Sequence, residues 1–443
     1  MKYIYGLNKS GESIINYLNK TKEQYCCWDD DERVRLKLLK KNKKIKFLKP
    51  LDLDYELIDD VYVTPGISLN DSKISTLRNK GLKLYRDLNL YLKSVDKQKI
   101  IAITGTNGKS TTTKLISDLL TGNNVHNFYG GNIGVPLLNF ANFDNKVKFH
   151  VIELSSFQLE SLITFNPYIS ILLNISPDHL DRYRNYDDYI KQKSKIINYN
   201  HNGYNIIAVD DQETKKIYEK NKNKDKTIPV SLESITKGIF FENDYIVDCY
   251  FENYKKIKIS NLSPYLFGLF NKQNILVSYA VNKILDLKEE KFLKILDNFI
   301  GLPHRLESIY QNDDIQIIDN SKATNLESTL KAIINYENIY LILGGVAKEK
   351  DFSELLKYKK NIKKIYLIGD SAVLISNHIN KKINYEICMT LNKAIDRICI
   401  DIKVAQNNQV ILFSPACSSF DQFENFEDRG KTFKKLIYKK FNV

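Results

Sequence analysis

Short runs of apolar, mostly β-branched residues alternate with amphipathic stretches along almost the whole chain. The run Ile100–Ile103, for example, precedes a helical pattern from Lys109 to Leu120. Similar apolar runs recur at 149–152, 169–173, 206–209, 339–343, 365–368 and 410–413. Strands that are apolar throughout and alternate with helices are typical of parallel sheets covered on both faces. We therefore predict an α/β fold.

Two breaks in this pattern divide the chain into three predicted domains. A polar segment at 93–97 precedes the strand that begins at Ile100, and the segment 299–303 precedes another α/β run. A chain of 443 residues is also too long for one compact core. We expect domains at 1–95, 96–300 and 301–443.

The composition is that of a soluble globular protein, with 43% hydrophobic and 27% charged residues. No stretch approaches the roughly 18 consecutive apolar residues that a membrane span needs. The N-terminal residues become polar before the apolar core of a signal peptide could form. We therefore expect a cytoplasmic protein with no membrane partner.

The net charge of +13 raises the question of a nucleic-acid partner. The excess lysine is spread along a chain that is also rich in Asn, Ile and Tyr, and no basic stripe is interleaved with aromatic residues. We therefore expect no nucleic-acid partner, because attraction for small phosphate-bearing molecules fits the charge equally well. The six cysteines are scattered without the spacing of a zinc site, which predicts free thiols.

The strand that ends near Ile103 leads into a loop rich in small and hydroxyl residues, followed by a helix. Small residues let backbone N–H groups approach phosphates, and the helix N-terminus adds the positive end of its dipole. Lys109 can reach the β- and γ-phosphates of a nucleotide, and the Ser110 hydroxyl can ligate Mg²⁺. The predicted nucleotide-binding residues are Gly105, Thr106, Asn107, Gly108, Lys109, Ser110 and Thr111. A standard P-loop would have glycine at the position of Ile103.

The loop sequence Gly-Thr-Asn-Gly-Lys-Ser-Thr at 105–111 resembles that of the Mur ligases and of folylpolyglutamate synthase. These enzymes join an amino acid to a carboxylate at the expense of ATP. The resemblance to the Mur ligases covers nearly the whole chain, and the tail at 414–430 resembles the D-glutamate-adding branch of the family. The Asp-Asn-Pro-Arg motif of the branch that adds diaminopimelate or lysine is absent.

This resemblance implies a fold and a reaction. The fold would be a Rossmann-like uridine-nucleotide domain, a central P-loop ATP-binding domain with a parallel sheet, and a Rossmann-like C-terminal amino-acid domain. The reaction would add D-glutamate to UDP-N-acetylmuramoyl-L-alanine through an acyl phosphate, with ATP as the energy source and ADP and phosphate as products. We expect the protein to act as a monomer.

Two segments that follow apolar strands carry candidate metal ligands. Glu153 opens the segment 153–159, and Asp-His-Leu-Asp-Arg at 178–182 is a cluster of potential ligands that includes Asp181. Carboxylates at the carboxyl ends of parallel strands near a P-loop are placed to hold Mg²⁺. The resemblance implies two Mg²⁺ ions bound by Glu153 and His179 together with Ser110.

The segment 189–193 resembles the family segment whose lysine is carbamylated, and the matching residue is Lys193. A carbamate turns a cation into an anionic oxygen ligand suited to Mg²⁺. Lys191 and Lys195 stand nearby and remain alternatives. The resemblance thus makes Lys109, Glu153, His179 and Lys193 the expected catalytic residues.

The resemblance also assigns substrate contacts in the rest of the chain. For ATP these are Asn274 at the adenine, Arg305 at the phosphates, and Lys322 and Thr324 in the segment 319–325. For D-glutamate they are Lys348, Ser419, Phe420 and Phe426. For the uridine nucleotide and its muramoyl peptide they are Gly6, Leu7, Asp29, Thr64 and Asn132.

Three positions depart from the family pattern. Asn8 replaces a glycine, Gln273 replaces a histidine, and Asn320 stands where the family has Asp, with Asp319 before it. These departures leave open a nucleotide-binding protein that has lost ligation. Another Mur ligase or a folylpolyglutamate synthase is a further alternative, against which the tail at 414–430 argues. A nucleic-acid-binding module is a third.

Overall fold

The computed structural model describes residues 1–141, 146–180, 182–402 and 408–441. Asp181 of the predicted ligand cluster lies outside the described residues. Within these residues, the strands form three sheets of four, nine and six members. Strand and helix alternate as the apolar runs predict, which confirms the α/β class. In the described part of the chain, no helix combines the length and apolar character needed to cross a bilayer.

The first sheet is built from parallel strands in the order β2-β1-β3-β4. Its strands are β1 Lys2–Tyr5, β2 Tyr25–Trp28, β3 Asp60–Val63 and β4 Leu84–Tyr85. The helices of this part are α1 Lys9–Thr21, α2 Glu32–Lys41, α3 Ser72–Asn79 and α4 Asp87–Ser94. One side of the sheet packs through Ile4, Tyr62 and Leu18 into a core that continues to the second sheet.

The second sheet has the order β13-β12-β11-β10-β9-β8-β5-β7-β6 and is parallel from β6 to β11. Its strands are β5 Ile100–Thr104, β6 Asn127–Gly131, β7 Phe149–Glu153, β8 Ile169–Leu172, β9 Tyr204–Ala208, β10 Thr227–Ser231, β11 Ile239–Glu242, β12 Tyr245–Asp248 and β13 Lys255–Lys258. The helices are α5 Lys109–Gly122, α6 Ser156–Leu159, α7 Tyr186–Asn198, α8 Gln212–Asn221, α9 Leu269–Ile284 and α10 Glu289–Asn298. Because β8, β5 and β7 are neighbours, the segments that follow them share one edge of the sheet.

The third sheet has the order β14-β15-β19-β16-β17-β18, and only β14 runs against its neighbour. Its strands are β14 Glu307–Gln311, β15 Ile315–Asp319, β16 Ile339–Gly344, β17 Ile362–Ile368, β18 Tyr385–Met389 and β19 Gln409–Phe413. The helices are α11 Leu326–Ile333, α12 Ala372–Ile379, α13 Leu391–Asp401 and α14 Phe426–Phe441. Separate apolar cores lie on its two faces, as expected for a parallel sheet covered by helices.

The described chain divides into two compact units. The first comprises residues 1–262 and 271–298 and holds the first two sheets, and the second comprises 263–270 and 299–443 and holds the third. The second unit begins close to the predicted break at 299–303. The three domains at 1–95, 96–300 and 301–443 stay a prediction.

Candidate functional site

The predicted phosphate loop, residues 105–111, runs from the end of the buried strand β5 into the first turn of α5. Gly108 caps the helix with φ +84°, a conformation that residues with a Cβ atom rarely adopt. A Cβ atom at this position would lie 2.5 Å from Oδ1 of Asn274. Glycine is therefore required here both by the backbone conformation and by the close approach of α9.

A chain of side-chain amides holds the loop from the side of β8. The backbone N–H of Asn107 donates to Oδ1 of Asn174 at 2.8 Å, and Nδ2 of Asn174 donates to Oε1 of Gln273 at 3.1 Å. Nε2 of Gln273 in turn donates to Oδ2 of Asp210 at 2.8 Å. Gln273, which departs from the family pattern, therefore has a defined role in this network. Sequence reasoning missed Asn174 and Asp210, although both follow directly on strands.

Two buried oxygen ligands meet at the first turn of α5. The Ser110 hydroxyl donates to Oε2 of Glu153 at 2.6 Å, and Asn132 donates to Oε1 of the same carboxylate at 2.9 Å. Ser110 is 0% exposed and Glu153 is 1% exposed. Hydroxyl and carboxylate oxygens are the ligands that Mg²⁺ prefers. The structure thus brings together two of the predicted metal ligands.

Two lysine side chains converge on the carbonyl groups of the loop. Nζ of Lys109 lies 2.8 Å from the carbonyl oxygens of both Gly105 and Thr106. Nζ of Lys193, from α7, lies 2.7 Å from the carbonyl oxygen of Gly105. Burial, together with the nearby ammonium of Lys109, lowers the pKa of Lys193 well below its usual range.

The two alternative lysines of α7 have other surroundings. Lys191 is exposed. Nζ of Lys195 donates to the carbonyl oxygens of Leu159 and Glu160 at 3.1 and 2.6 Å, at the end of α6. Among the three lysines, only Lys193 contacts the phosphate loop.

His179 lies in the segment after β8, with φ +55°. Its side chain is 34% exposed, and its ring packs edge-on against Phe157 at 4.8 Å between centroids. Nε2 lies 3.5 Å from Oδ2 of Asp178. The ring is accessible at the carboxyl edge that also carries Glu153, which is where an additional metal ligand is expected.

Asn274 is 2% exposed and lies beside the phosphate loop. Its Oδ1 accepts a hydrogen bond from the Thr112 hydroxyl at 3.0 Å, and its Nδ2 donates to Asn271 at 2.9 Å. The predicted adenine contact is therefore held in a fixed orientation next to α5.

Four of the five residues assigned to the uridine nucleotide meet at the carboxyl edge of the first sheet. Oδ2 of Asp29 accepts a hydrogen bond from the backbone N–H of Leu7 at 2.7 Å. Gly6 has φ +93°, and a Cβ atom there would lie 2.1 Å from Oγ1 of Thr64. The fifth residue, Asn132, lies instead beside Glu153.

In the second unit, the segment around Arg305 is held by the interchanged Asp–Asn pair. Oδ2 of Asp319 lies 2.7 Å from Nδ1 of His304, and both groups are buried. The Asn320 side chain accepts from the backbone N–H of Leu306 at 3.3 Å and donates to the Ser414 hydroxyl at 3.0 Å. The neutral amide at position 320 therefore acts as both donor and acceptor.

The residues assigned to D-glutamate differ in burial. Ser419 is buried, Lys348 is exposed, and Phe420 is 74% exposed. Phe426 is half-buried, and its ring lies 5.2 Å from Nζ of Lys322. Thr324 is also half-buried.

Arg429, at 1% exposure, is a residue of this region that sequence reasoning missed. Its guanidinium donates to the carbonyl oxygens of Cys417 at 3.0 Å and Ser321 at 2.7 Å. Burial lowers its pKa to about 10. The guanidinium joins the segment after β15 to the tail that contains Ser419.

Comparisons with known protein families give matches over both units. The family model for the Mur ligase middle domain matches residues 103–282. The family model described as the Mur ligase, glutamate ligase domain matches residues 304–417.

Curated relatives match over nearly the full length. The UDP-N-acetylmuramoylalanine--D-glutamate ligase of Rickettsia bellii is 37% identical, with 98% of this chain and 96% of the relative covered. The protein of the same name from Fusobacterium nucleatum is also 37% identical, with 99% of both chains covered.

Solved structures show the same fold at lower identity. The UDP-N-acetylmuramate-alanine ligase MurC of Thermotoga maritima has a TM-score of 0.63 at 17% identity, with 98% of both chains covered. A pseudomurein peptide ligase type C from Methanothermus fervidus has a TM-score of 0.59 at 18% identity, with 99% of both chains covered.

Proposed function

The chain belongs to the Mur ligase family, and from this premise we propose that it joins D-glutamate to UDP-N-acetylmuramoyl-L-alanine at the expense of ATP. The observation that carries the proposal is the similarity over 98% of the chain to relatives named for this reaction, at 36–38% identity. The reaction belongs to peptidoglycan precursor synthesis and yields ADP and phosphate. The geometry around the predicted phosphate loop supports the first step of this reaction.

In the first step, a carboxylate oxygen of UDP-N-acetylmuramoyl-L-alanine attacks the γ-phosphorus of ATP. The bond between that phosphorus and the β–γ bridging oxygen breaks, so that an acyl phosphate and ADP form. Lys109, at the N-terminus of α5, pairs with the phosphate oxygens as negative charge spreads over them. The backbone N–H groups of 105–111 and the helix dipole bind the remaining phosphate oxygens.

The residues near Ser110 fit a magnesium site. Ser110 and Glu153 are buried oxygen ligands 2.6 Å apart, and His179 lies at the same edge of the sheet. We assign Ser110, Glu153 and His179 to two Mg²⁺ ions, with Lys193 as a further ligand when carbamylated. Bound there, Mg²⁺ would neutralise charge on the phosphates.

The environment of Lys193 supports its assignment as the carbamylated residue. Carbon dioxide reacts only with a neutral amine, and burial favours the neutral form of Lys193 by lowering its pKa. The amine forms an N–C bond to carbon dioxide and releases a proton, which leaves an anionic carbamate. That anion would also remove the repulsion between Lys193 and Lys109.

In the second step, the D-glutamate amine attacks the acyl carbon, and the resulting tetrahedral intermediate collapses to the amide with loss of phosphate. We assign D-glutamate to Lys348 and to the tail residues Ser419, Phe420 and Phe426, since the tail at 414–430 resembles the D-glutamate-adding branch. Arg305, Lys322 and Thr324 are assigned to ATP, and Gly6, Leu7, Asp29, Thr64 and Asn132 to the uridine-nucleotide substrate. We further propose three domains at 1–95, 96–300 and 301–443, and a cytoplasmic, monomeric enzyme.

The test is phosphate release from ATP in the presence of Mg²⁺ and UDP-N-acetylmuramoyl-L-alanine. Separate reactions contain D-glutamate, L-glutamate, L-lysine or meso-diaminopimelate, and Lys109→Met serves as the inactive control. We expect release with D-glutamate alone. Release with another amino acid would assign a different step of the pathway, and ATP binding without release would indicate a protein that has lost ligation.

A further inference from the structure

We propose that Arg182 and Glu160 couple the loop Thr64–Ile67 to His179, so that the uridine-nucleotide substrate and the metal–nucleotide complex bind cooperatively. The inference rests on the proposed function, because that function assigns the loop to one substrate and His179 to the other. All of these residues belong to the first compact unit. Arg182 and Glu160 are positioning residues, and none of the ligands need touch them.

Two arginines hold the loop through its backbone carbonyl groups. Nη1 of Arg86 donates to the carbonyl oxygens of Val63, Thr64 and Ile67 at 3.1, 2.7 and 2.9 Å. Nη2 of Arg182 donates to the carbonyl oxygen of Ile67 at 3.0 Å. Arg86 is 0% exposed and the Arg182 side chain is 10% exposed. The conformation of the loop is therefore tied directly to the position of the Arg182 guanidinium.

Glu160, just after α6, bridges the two guanidinium groups. Its carboxylate accepts from Nη2 of Arg86, and it accepts from Nε and Nη2 of Arg182, both at 3.3 Å. The Tyr183 hydroxyl adds a hydrogen bond at 3.2 Å. The carboxylate of Glu160 therefore fixes the positions of the two guanidinium groups relative to each other.

Arg182 also contacts the surroundings of His179. Its guanidinium lies 3.7 Å from the centre of the Phe157 ring, and the ring of His179 packs edge-on against the same phenylalanine. The backbone N–H of Arg182 donates to the carbonyl oxygen of His179 at 3.0 Å. Because His179 has φ +55°, its backbone conformation is costly and depends on such restraints.

A displacement of the Ile67 carbonyl group therefore shifts Arg182, and through Phe157 it shifts the imidazole ring. The substrate on the loop and the nucleotide on the phosphate loop thus favour the same arrangement of this group. Each ligand must then raise the affinity for the other by the same factor, because binding free energies are linked. Couplings of this kind are typically about 5- to 150-fold.

The test measures the affinity for the Mg²⁺ complex of a non-hydrolysable ATP analogue by calorimetry, with and without saturating UDP-N-acetylmuramoyl-L-alanine. For the unaltered protein we expect the substrate to tighten analogue binding by at least about fivefold. Arg182→Gln should reduce this ratio to within about twofold of unity. Arg184→Gln is the matched control, since Arg184 is exposed and two residues further along the chain, and it should keep the full ratio.

A general loss of structure would weaken analogue binding both with and without the substrate. A selective fall in the ratio of the two affinities therefore reports a loss of coupling. Should Arg182→Gln fail to fold, Glu160→Gln, which keeps the shape and removes the charge, is expected to give the same reduced ratio. An unchanged ratio in a folded variant overturns the proposal, and so does a ratio near unity in the unaltered protein.

D-glutamate-dependent phosphate release is measured on the same preparations. Release without coupling overturns only this inference. Coupling without release overturns the assigned ligation and leaves the coupling standing.

Discussion

Replacement of Gly108 by alanine tests the reasoning about the phosphate loop most directly. The new Cβ atom would lie 2.5 Å from Oδ1 of Asn274 and 3.3 Å from Cδ1 of Leu173. Movement of the Asn274 side chain away from the new Cβ atom would cost free energy, because this side chain is buried and its Oδ1 accepts the hydrogen bond from Thr112. A positive φ costs about 1–2 kcal/mol for a residue with a Cβ atom, and loss of this hydrogen bond costs about 1 kcal/mol. We expect a total loss of about 2–3 kcal/mol.

Gly81→Ala is the matched control. Gly81 has the same φ of +84°, but no heavy atom of the described residues lies within 4 Å of a Cβ atom placed there. Its replacement should therefore cost only the backbone strain of about 1–2 kcal/mol. The difference between the two variants isolates the contact with Asn274.

The assay is urea unfolding followed by circular dichroism, with the free energy extrapolated linearly to water. ATP affinity is measured in parallel and should fall for Gly108→Ala but not for Gly81→Ala, because only the first displaces the phosphate loop. Equal losses of stability in the two variants, or unchanged ATP affinity in Gly108→Ala, would refute the account of why glycine stands at this position.

Three further predictions address the other parts of the site. Lys193→Ala should abolish D-glutamate-dependent phosphate release, with partial rescue by bicarbonate or short carboxylates, whereas Lys191→Ala should retain activity because that lysine is exposed; full activity of Lys193→Ala would remove the carbamate assignment. Ser110→Ala should weaken Mg²⁺ binding by at least about tenfold in a titration of activity against Mg²⁺, because loss of a group that only orients a metal ligand already costs about 10- to 100-fold in affinity. An unchanged titration would exclude Ser110 as a ligand. Burial and the nearby Lys99 lower the pKa of His150 to about 4. Between pH 6.5 and 4 the unfolded chain therefore binds more protons than the folded chain. As the pH falls through this range, the unaltered protein should lose up to about 3 kcal/mol of its free energy of unfolding relative to His150→Gln. Parallel pH dependences of the two proteins in urea unfolding would contradict this account.

The sequence predicted the strands of the parallel sheets well where they are apolar throughout. The runs at 100–103 and 410–413, for example, correspond to β5 and β19 with bounds that differ by one residue at most. Parallel strands covered on both faces must be apolar along their whole length, so their sequence pattern is clear. The antiparallel strand β13 gave no such signal, because it places Lys255, Lys256 and Lys258 on an edge of the sheet.

The predicted phosphate loop and Glu153 could also be singled out in the sequence, since the loop follows directly on a buried strand, Glu153 ends another, and each belongs to a specific motif. The pairing of Ser110 with Glu153 follows from the adjacency of β5 and β7. The sequence could not provide that adjacency. The resemblance matched Lys193 to the carbamylated lysine and left Lys191 and Lys195 as alternatives. The direction of the side chains on α7, by which Lys193 and not Lys195 reaches the predicted phosphate loop, is visible only in the structure.

The sequence by itself therefore determined the α/β class and the kinship of the chain, and it predicted the phosphate loop, because these depend on local periodicity and on short motifs. Only the tertiary structure decided how Gln273 and Asn320 are accommodated. Both form hydrogen bonds to residues far away in the chain, Asp210 and Ser414. The same holds for the buried Arg86 and Arg429. Both donate to backbone carbonyl groups, which no side-chain pattern encodes, and Arg86 also pairs with Glu160. A buried charged residue needs partners, and for these two arginines distant segments supply them, which meet only in the folded chain.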